Sequence, residues 1–239
     1  MKFSIITPVL NGAATIGRTI ESVLEQSGVE VEYIIMDGGS TDGTLEIINC
    51  YRDRIAVIES RPDKGLYDAM NSGIARASGD VVGIINSDDR YFPGAFAAAA
   101  DILGRENSFD AILWGDVEYQ FLGRVRGFRP NNLKLGAFAP HPSMFVPRGI
   151  YERIGGYDIT LRYLADYDFM YRAVNVYGVK PLYCPRLFAW FAEGGLADRH
   201  VRECLREELT VKLRYGQPVW LAVPVYWLKL LKNFRRIRR

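Results

Sequence analysis

Short apolar runs alternate with amphipathic segments over the first 85 residues, and this alternation restricts the fold more than any other feature of the sequence. The apolar runs are rich in β-branched residues and predict buried strands, at 3–7, 31–36, 55–58 and 81–85. The segments between them repeat apolar residues at helical spacing and predict helices, at 16–24, 42–51 and 67–77. A βαβαβαβ order is typical of a parallel, doubly wound sheet with helices on both faces, so the sequence predicts an α/β fold.

The second half of the chain has a less regular pattern. It predicts a strand at 111–119 with a hairpin return at 120–128, and helices at 166–176 and 198–215. Neither an internal repeat nor a linker is apparent. The 239 residues suffice for a sizeable core, and nothing in the pattern requires a second domain.

The composition excludes several classes of protein. Hydrophobic residues make up 49% of the chain and charged residues 24%, a balance that argues against a disordered chain. The three cysteines have no CxxC spacing and the two histidines are far apart, so neither a disulfide framework nor a zinc site is predicted. No run of about 20 apolar residues predicts a spanning helix, and the first residues resemble a strand rather than a signal peptide. A cytoplasmic protein is therefore expected.

Charge is distributed unevenly along the chain. The 31 residues from Leu209 to the end carry eight lysines and arginines and no acid, so a net charge of +2 leaves −6 on the rest. The overall balance does not suggest a nucleic-acid-binding protein. The tail is also apolar and contains tryptophans, a combination typical of a segment that binds an anionic membrane surface. The alternative is a C-terminal helix that packs on the body, although Pro218 and Pro224 interrupt the segment.

Polar residues follow the predicted strands of the first half. Ligands of an open parallel sheet bind outside the carboxyl ends of its strands, which here are followed by Asn11, Asp37, the 61–64 loop and Asp88–Asp89. The chain has neither GxGxxG after the first strand nor GxxxxGK[ST], so a dehydrogenase or a P-loop kinase is not predicted. Two adjacent carboxylates suit Mg²⁺, which is often held by one or two carboxylates plus substrate phosphates. Because Asp is also common in turns and helix caps, a structural role is the alternative for Asp37 and the acidic pair.

Several motifs occur in an order that is more specific than any one of them. In the first half these are IITPVLNG (5–12), DGGSTDGT (37–44), DKGLYDAMNSG (63–73), ASGD (77–80) and NSDD (86–89). In the second half they are GGYD (155–158) and ADYDFMYR (165–172). Over residues 3–196 the chain thereby resembles the family 2 glycosyltransferases. The resemblance implies a GT-A fold, a nucleotide-diphosphate sugar donor, Mg²⁺ or Mn²⁺ as cofactor, and inversion at the anomeric carbon.

The resemblance also implies roles for individual residues. Positions that match the nucleotide-sugar-binding residues of the family are Thr7, Asn11, Asp37, Asp63, Lys64 and Asp88. Asp89 matches the residue that holds the cation. Asp166 matches the catalytic base, although at the start of a predicted helix it also suits a helix cap. Asn86 and Ala165 depart from the pattern, since many members have Asp and Glu there.

The same resemblance divides the chain. Residues 1–208 are expected to form one catalytic domain, with a nucleotide-binding half at about 1–110 and an acceptor-side half at 111–208, and residues 209–239 form the tail. Weaker candidates lie in the acceptor-side half. His141 could face the acceptor or bond to backbone in its loop, and Asp116 could bind acceptor hydroxyls. Gly194 and Gly195 resemble a segment that closes over the diphosphate, with a plain turn as the alternative.

The sequence therefore predicts an inverting glycosyltransferase of cell-surface or lipid-linked polysaccharide assembly, peripheral on the inner face of the cytoplasmic membrane. A UDP-sugar is the expected donor on family grounds, and a saccharide or lipid-linked saccharide is the expected acceptor. Two alternatives stay open. A sugar nucleotidyltransferase also uses acidic metal sites, although the chain has no Gly-rich basic loop between Pro8 and Gly17. The other is a catalytically silent membrane-associated scaffold with the same fold.

Overall fold

The computed structural model describes residues 1–105, 109–126, 130–136 and 139–234. Its strands are β1 (Lys2–Val9), β2 (Glu30–Asp37), β3 (Val57–Ser60), β4 (Val81–Ile84), β5 (Arg90–Tyr91), β6 (Ala111–Tyr119), β7 (Gly123–Val125), β8 (Met144–Pro147) and β9 (Lys180–Phe191). Within the described ranges they form one sheet in the order β3-β2-β1-β4-β8-β6-β9-β5, and β7 pairs with β6 beside this path. The chain thus has the mixed α/β architecture that the sequence predicts.

Helices surround the sheet. They are α1 (Ile16–Leu24), α2 (Thr44–Asn49), α3 (Leu66–Ile74), α4 (Ala95–Arg105), α5 (Arg148–Ile154), α6 (Ala165–Tyr171), α7 (Leu196–Arg199), α8 (Val201–Arg214) and α9 (Val219–Lys232). Short 3₁₀ turns occupy Arg52–Arg54, Pro130–Leu135 and His141–Ser143, and a π-helical turn at Arg172–Val176 continues α6. The helix predicted over 166–176 is therefore one α-helical and one π-helical piece. The helix predicted over 198–215 is interrupted at His200, where the backbone leaves helical geometry.

The first half of the sheet is parallel, as the alternation predicts. β1 pairs in parallel with β2 and with β4, and β2 pairs in parallel with β3. The third strand begins two residues later than predicted, at Val57. Because these strands run in the same direction, their carboxyl ends and the loops that follow meet at one edge of the sheet. This edge carries Asn11, Asp37 and the acidic pair Asp88–Asp89.

The second half of the sheet is mixed. β8 is antiparallel to both β4 and β6, whereas β9 runs parallel to β6 and antiparallel to β5. The register between β6 and β9 shifts twice between Trp114 and Val117, which bends the long pair. β7 forms the predicted hairpin return after β6, and the end of that prediction, 127–128, lies outside the described residues. The sequence pattern does not predict β9.

Two hydrophobic clusters cover the two faces of the sheet. On one face, α1 and α4 bury apolar side chains against β1, and Phe96 stacks on Phe3 with ring centroids 5.8 Å apart. On the other face lie α3, α5 and α6. Helix α3 packs so closely on β1 that a Cβ atom at Gly73 would clash with the Ile6 side chain. The position of α3 along the sheet is therefore tightly fixed.

The C-terminal segment is helical through Pro224, so the predicted interruption at this residue is wrong. Pro224 is the sixth residue of α9 and removes the hydrogen bond to the carbonyl of Trp220, which lies on an exposed part of the helix where water can replace it. α8 continues across residue 209, and the division of the chain into domains stays a prediction. In the part of the chain that the structure describes, no helix combines the length and apolarity that a membrane span requires.

A buried ionic cluster joins α9 to the body. Glu208 and Lys212 of α8 are both buried, and the Lys212 Nζ lies 2.5 Å from Glu208 Oε1. Lys229 of α9 reaches the same carboxylate at 2.8 Å and also donates to the carbonyl of Gly136. The burial of the Lys212 ammonium lowers its pKa, while the Glu208 carboxylate opposes that effect. This ionic cluster of Glu208, Lys212 and Lys229 fixes α9 against α8 and the segment that ends at Gly136.

Candidate functional site

Three loops meet at the carboxyl edge of β1, β2 and β3, and they are called the edge loops below (residues 10–13, 38–43 and 61–65). The Asp37 carboxylate is buried and accepts hydrogen bonds from the hydroxyls of Ser40 and Ser60, both at 2.5 Å. Asn11 is exposed, and its side-chain oxygen accepts the backbone N–H of Thr41 at 2.9 Å. Asn11 also has a φ of 53°, a left-handed conformation that Asn tolerates better than most residues. Polar contacts between loops thus shape this edge.

Asp63 and Lys64 lie in the third edge loop. Asp63 approaches Gly38 so closely that a Cβ atom there would lie 2.6 Å from Asp63 Oδ2. Asp63 Oδ1 accepts the backbone N–H of Gly65, and the Lys64 side chain is exposed. A small cleft lies between Asp37 and Asp63. The structure thus brings Asp63 and Lys64 to the same edge as Asn11 and Asp37, where a ligand of this sheet would bind.

Thr7 does not belong to this group. Its side chain is fully buried within the sheet, and its hydroxyl lies 3.0 Å from the hydroxyl of Tyr33 in β2. Side chains alternate between the faces of a strand, and this one points into a helix-covered face rather than out of the edge. The Thr7 hydroxyl is therefore directed away from the edge, and the assignment of Thr7 to the nucleotide-sugar-binding residues stays a prediction.

The acidic pair follows β4, and its two members differ in burial. Asp88 is exposed, whereas Asp89 is buried, and its carboxylate accepts the Ala192 backbone N–H at 2.9 Å and the Asn86 side-chain N–H at 3.2 Å. Burial and then the neighbouring Asp88 charge raise the pKa of Asp89 well above its usual range. Asn86 Oδ1 is buried and has no hydrogen-bond partner in the described ranges. An orphaned buried oxygen on the amide that donates to Asp89 suits a cation or an ordered polar ligand.

Asp166 stands at the start of α6 and is half-buried. Its Oδ1 accepts the backbone N–H of Tyr167 at 2.9 Å and the hydroxyl of Tyr67 at 3.2 Å. Burial raises the pKa of Asp166 to about 6, an effect that the two hydrogen bonds partly oppose. A carboxylate with this pKa is ionised at neutral pH and basic enough to accept a proton during a reaction.

Tyr119, at the end of β6, connects the acidic pair to Asp166. Burial raises the pKa of Tyr119 to about 12, and the negative charges of Asp198, Asp89, Glu193 and Asp166 act in the same direction. The carboxylates of Asp89 and Asp166 therefore both lie within electrostatic reach of one hydroxyl. The sequence assigns Asp89 and Asp166 to one site although 77 residues separate them, and in the fold the charges of both act on Tyr119.

The weaker candidates have different surroundings. His141 is buried with its ring against Tyr157, its Nε2 has no partner in the described part of the chain, and burial lowers its pKa to about 4. Its Nε2 therefore has no backbone partner in the described residues, and the choice between an acceptor contact and a backbone-bonded loop residue stays open. Gly194 has a φ of 89° and open space around it, and it follows the Ala192 amide that binds Asp89. Gly195 likewise has open space.

Asp116 is a structural residue in this fold. Its side chain is fully buried, one oxygen pairs with the Arg124 guanidinium at 2.6 Å, and the other accepts the Tyr183 hydroxyl at 2.6 Å. Arg124 belongs to β7 and Tyr183 to β9, so the carboxylate holds both neighbours of β6 in place. The Asp116 carboxylate thus already has a partner on each oxygen, and the suggestion that it binds acceptor hydroxyls stays a prediction.

Sequence reasoning missed the residues that support Asp166 from a distance. Tyr67 lies in the DKGLYDAMNSG motif (63–73), which does not indicate a contact with Asp166. Glu207 of α8 accepts the backbone N–H groups of Arg162, Tyr163 and Leu164 just before α6. No local pattern announces either contact, because Tyr67 precedes Asp166 by 99 residues and Glu207 follows the segment it binds by more than 40.

Comparisons with known proteins agree with this geometry. The family model described as glycosyl transferase family 2 matches residues 4–155. A PGL/p-HBAD biosynthesis glycosyltransferase of Mycobacterium bovis is 30% identical over 238 residues, which cover 97% of this chain and 93% of the relative. An uncharacterized glycosyltransferase of Mycobacterium tuberculosis is 35% identical over 181 residues, which cover 72% and 69% of the two chains.

Solved structures show the same fold at low sequence identity. S. aureus TarS 1–349 superimposes with a TM-score of 0.69 at 20% identity, over 98% of this chain and 72% of the 1–349 chain. The mannosyltransferase PcManGT of Pyrobaculum calidifontis, solved with GDP-Man and Mn²⁺, gives a TM-score of 0.67 at 17% identity, over 98% and 75% of the two chains. These likenesses confirm the predicted GT-A fold. With a family model over most of its length and a relative that matches it nearly end to end, the chain belongs to glycosyl transferase family 2 and is a glycosyltransferase.

Proposed function

We propose that this protein is an inverting glycosyltransferase that moves a sugar from a UDP-sugar to a hydroxyl of a saccharide or lipid-linked saccharide. The observation that carries the proposal is that Asp89 and Asp166, which are far apart in sequence, both lie near enough to Tyr119 for their charges to raise the pKa of its hydroxyl. One carboxylate follows the strand edge where a nucleotide-sugar would bind, and the other has a pKa of about 6. Transfer with inversion needs such a base, on the face of the sugar opposite the leaving group.

The edge loops supply the donor side. Asn11, Asp37, Asp63 and Lys64 line the edge, and the exposed Asp88 follows the neighbouring strand. In this arrangement the Ser60 hydroxyl and the hydroxyl and backbone N–H of Ser40 all donate to Asp37, which fixes its carboxylate at the edge. The nucleobase is taken as uracil because TarS was solved with UDP and UDP-GlcNAc, while the GDP-Man complex of PcManGT makes guanine the competing choice.

A divalent cation fits the acidic pair. In the described ranges, no group of three or more His, Cys, Asp or Glu side chains comes together as a cation site. Mg²⁺ commonly takes only one or two carboxylates and completes its shell with water and substrate phosphates, so Asp88, Asp89 and the orphaned Asn86 Oδ1 form a suitable oxygen set. When bound, Mg²⁺ or Mn²⁺ supplies positive charge that stabilises the departing diphosphate.

Asp166 accepts the proton of the attacking acceptor hydroxyl. Asp166 lies at the start of α6, where its side chain is half-buried. This burial raises its pKa to about 6 and still leaves the residue partly accessible. The segment 192–195 touches Asp89 through the Ala192 amide, and Gly194 and Gly195 have the open surroundings of a segment that can move over a bound donor.

The acceptor side is proposed to work at an anionic membrane surface. α9 exposes large apolar side chains, among which Trp220 is 76% and Leu231 70% exposed, and the sequence continues into Arg235, Arg236, Arg238 and Arg239. Exposed apolar residues next to arginines are typical of helices that lie in the headgroup region of anionic bilayers. The PGL/p-HBAD name of the Mycobacterium bovis relative supports a lipid-linked acceptor. This arrangement would place the enzyme peripherally on the inner face of the cytoplasmic membrane.

Replacement of the proposed base tests the reaction. Asp166→Asn is expected to reduce donor-dependent transfer by about 10²–10⁴-fold, the usual contribution of a general base. It should leave the donor-induced rise in melting temperature intact, since the base does not hold the nucleotide. Asp101→Asn, which removes an exposed carboxylate of α4, is the matched control.

A panel of UDP-, GDP- and dTDP-sugars with and without Mn²⁺ identifies the donor in the same assay. Transfer by Asp166→Asn at the wild-type rate would refute the proposed mechanism. A wild-type protein that binds no nucleotide-sugar would instead support the scaffold alternative, and release of pyrophosphate would support the nucleotidyltransferase.

Vesicle binding tests the membrane proposal. The wild type should sediment with vesicles that contain 30 mol% phosphatidylglycerol and not with pure phosphatidylcholine vesicles, because both apolar and electrostatic contributions are needed. Trp220→Ser combined with Leu231→Ser should abolish sedimentation while leaving transfer to a water-soluble acceptor unchanged. Equal sedimentation of this variant and the wild type would show that α9 does not bind the bilayer.

A further inference from the structure

Asp166 is bonded on one side only. Its Oδ1 accepts two hydrogen bonds, from the Tyr167 backbone N–H at 2.9 Å and from the Tyr67 hydroxyl at 3.2 Å. Across the described part of the chain, no donor reaches Oδ2 of the same carboxylate. A carboxylate held through one oxygen presents the other in a fixed direction, and Oδ2 is then the atom left to receive a proton.

We propose that Tyr67 is a positioning residue for the reaction, which fixes the Asp166 carboxylate so that Oδ2 faces the acceptor hydroxyl. The inference rests on the proposed function, since it assumes that Asp166 is the base. Tyr67 belongs to α3, in the first turn after the third edge loop, whereas Asp166 belongs to α6. The hydroxyl therefore connects the half of the protein that would bind the donor to the residue that would activate the acceptor.

The surroundings of Tyr67 leave its hydroxyl little freedom. The side chain is buried, and its single hydroxyl hydrogen is shared between the carbonyl of Tyr163 at 2.9 Å and Asp166 Oδ1. Its ring packs on the Tyr157 ring with centroids 5.6 Å apart. α3 itself is fixed on β1 by the close contact at Gly73. Tyr67 thus binds both the loop that leads into α6 and the functional carboxylate of α6.

The loop before α6 is fixed from the opposite side as well. Glu207 of α8 accepts the backbone N–H groups of Arg162, Tyr163 and Leu164 at 2.8–2.9 Å. Glu207 thus binds the amides and Tyr67 the Tyr163 carbonyl, so that residues 162–164, which lead into α6, are held from two sides. Rigid placement of this kind is what a catalytic group needs, because small displacements from the reactive geometry slow a reaction strongly.

Other ionisable groups lie within electrostatic reach of Asp166. The Asp166 charge raises the pKa values of Tyr119 of β6, Tyr157 before α6 and Cys204 of α8. Glu207 raises the pKa of Asp166 through its negative charge, whereas the Tyr67 hydroxyl lowers it by stabilising the ionised form. Loss of the Tyr67 hydroxyl should therefore leave Asp166 with a higher pKa as well as a freer side chain.

Tyr67→Phe and Tyr157→Phe form a matched pair for the test. Each removes one buried phenolic hydroxyl from the same aromatic cluster, but the Tyr157 hydroxyl bonds to the Tyr151 hydroxyl and not to Asp166. The measurement is the pH dependence of transfer by full-length enzyme with a donor identified by the thermal-shift panel. We expect Tyr67→Phe to lower kcat roughly tenfold, to move the acidic limb of the pH profile upward by about one unit, and to leave the donor KM unchanged. Tyr157→Phe should keep the wild-type profile.

The outcomes separate this inference from the proposed function. If Asp166→Asn is inactive and Tyr67→Phe keeps the wild-type kcat and pH profile, the positioning role is refuted while the base assignment stands. The same conclusion follows if Tyr157→Phe shifts the profile as far as Tyr67→Phe does. If Asp166→Asn retains full activity, the proposed function itself fails. A donor-induced rise in melting temperature in Tyr67→Phe shows that the variant is folded, so that a lost rate reports on the base.

Discussion

The edge loops and the surroundings of Asp166 are held in different ways. In the edge loops, many individually weak hydrogen bonds stabilise the structure together, as when Ser40 and Ser60 both donate to Asp37. Around Asp166 and α8, a few buried or partly buried groups hold the structure, among them Tyr67, Glu207 and the ionic cluster of Glu208, Lys212 and Lys229. The difference teaches that single substitutions should have graded effects in the first region and large effects in the second.

The largest effect is expected at the boundary between the two regions, at Asp89. Asp89→Asn should reduce transfer by about 10²–10³-fold and abolish any Mn²⁺ dependence of donor binding, because it removes a carboxylate that would hold the cation whose positive charge stabilises the departing diphosphate. The same variant should unfold at a higher urea concentration at neutral pH. Burial raises the pKa of Asp89 in the folded protein above its value in the unfolded chain. At a pH above the unfolded value, the tendency of Asp89 to ionise therefore lowers the free energy of unfolding, and a neutral amide removes this effect. Activity loss without this gain would contradict the burial argument.

The ionic cluster should show the next largest effect. Glu208→Gln leaves the Lys212 ammonium buried without a negative partner and should lower the free energy of unfolding by about 3 kcal/mol, as measured by urea denaturation. Glu208→Gln combined with Lys212→Met removes the stranded charge and should recover part of the loss. If Glu208→Gln lowers the free energy of unfolding by less than about 1 kcal/mol, this region tolerates single substitutions as well as the edge loops do, which would contradict the comparison.

The pH dependence of transfer gives an effect of intermediate size. Asp166 must be ionised to act as a base, and its pKa is about 6, so kcat/KM should fall about tenfold for each pH unit below that value. Above about pH 7 this group should cause no further change. A profile that stays flat down to pH 4.5 would show that the base titrates in its ordinary range or is another residue.

The smallest effect is expected in the edge loops. Asn11→Ala removes the bond to the Thr41 amide and places Ala at a φ of 53°, which together should cost about 1 kcal/mol of unfolding free energy. Asn11→Gly keeps the backbone conformation and should cost less. An Asn11→Ala loss as large as that of Glu208→Gln would mean that this loop depends on one contact after all.

The sequence predicts the parallel half of the fold because its signals are local. Strand ends identify Asn11, Asp37 and the Asp88–Asp89 pair, and the observed strands bring them together. Thr7 shows where that reasoning stops, since the rule that ligands bind at strand ends does not say which face an individual side chain takes. Its hydroxyl belongs to the interior, against Tyr33.

The supports of Asp166 could not be predicted, for a physical reason. Tyr67 and Glu207 act on it across separations that only the folded chain closes, and no periodicity encodes such contacts. The Asp116 pairing with Arg124 and Tyr183 is hidden in the same way, because it depends on which strands flank β6. The interruption predicted at Pro224 is wrong for a different reason. A proline in a sequence shows which backbone hydrogen bond is lost, but not whether water can replace that bond.

The tight seat of α3 on β1 has a consequence for how this enzyme can vary. Gly73 touches no candidate ligand, yet any larger residue there would push the helix away from Ile6 and carry the Tyr67 hydroxyl with it. A random mutagenesis screen would therefore recover Gly73 among slow variants with normal expression, far from the chemistry that it impairs. Directed evolution towards new acceptors has more freedom on the exposed side of the cleft than along this internal seam.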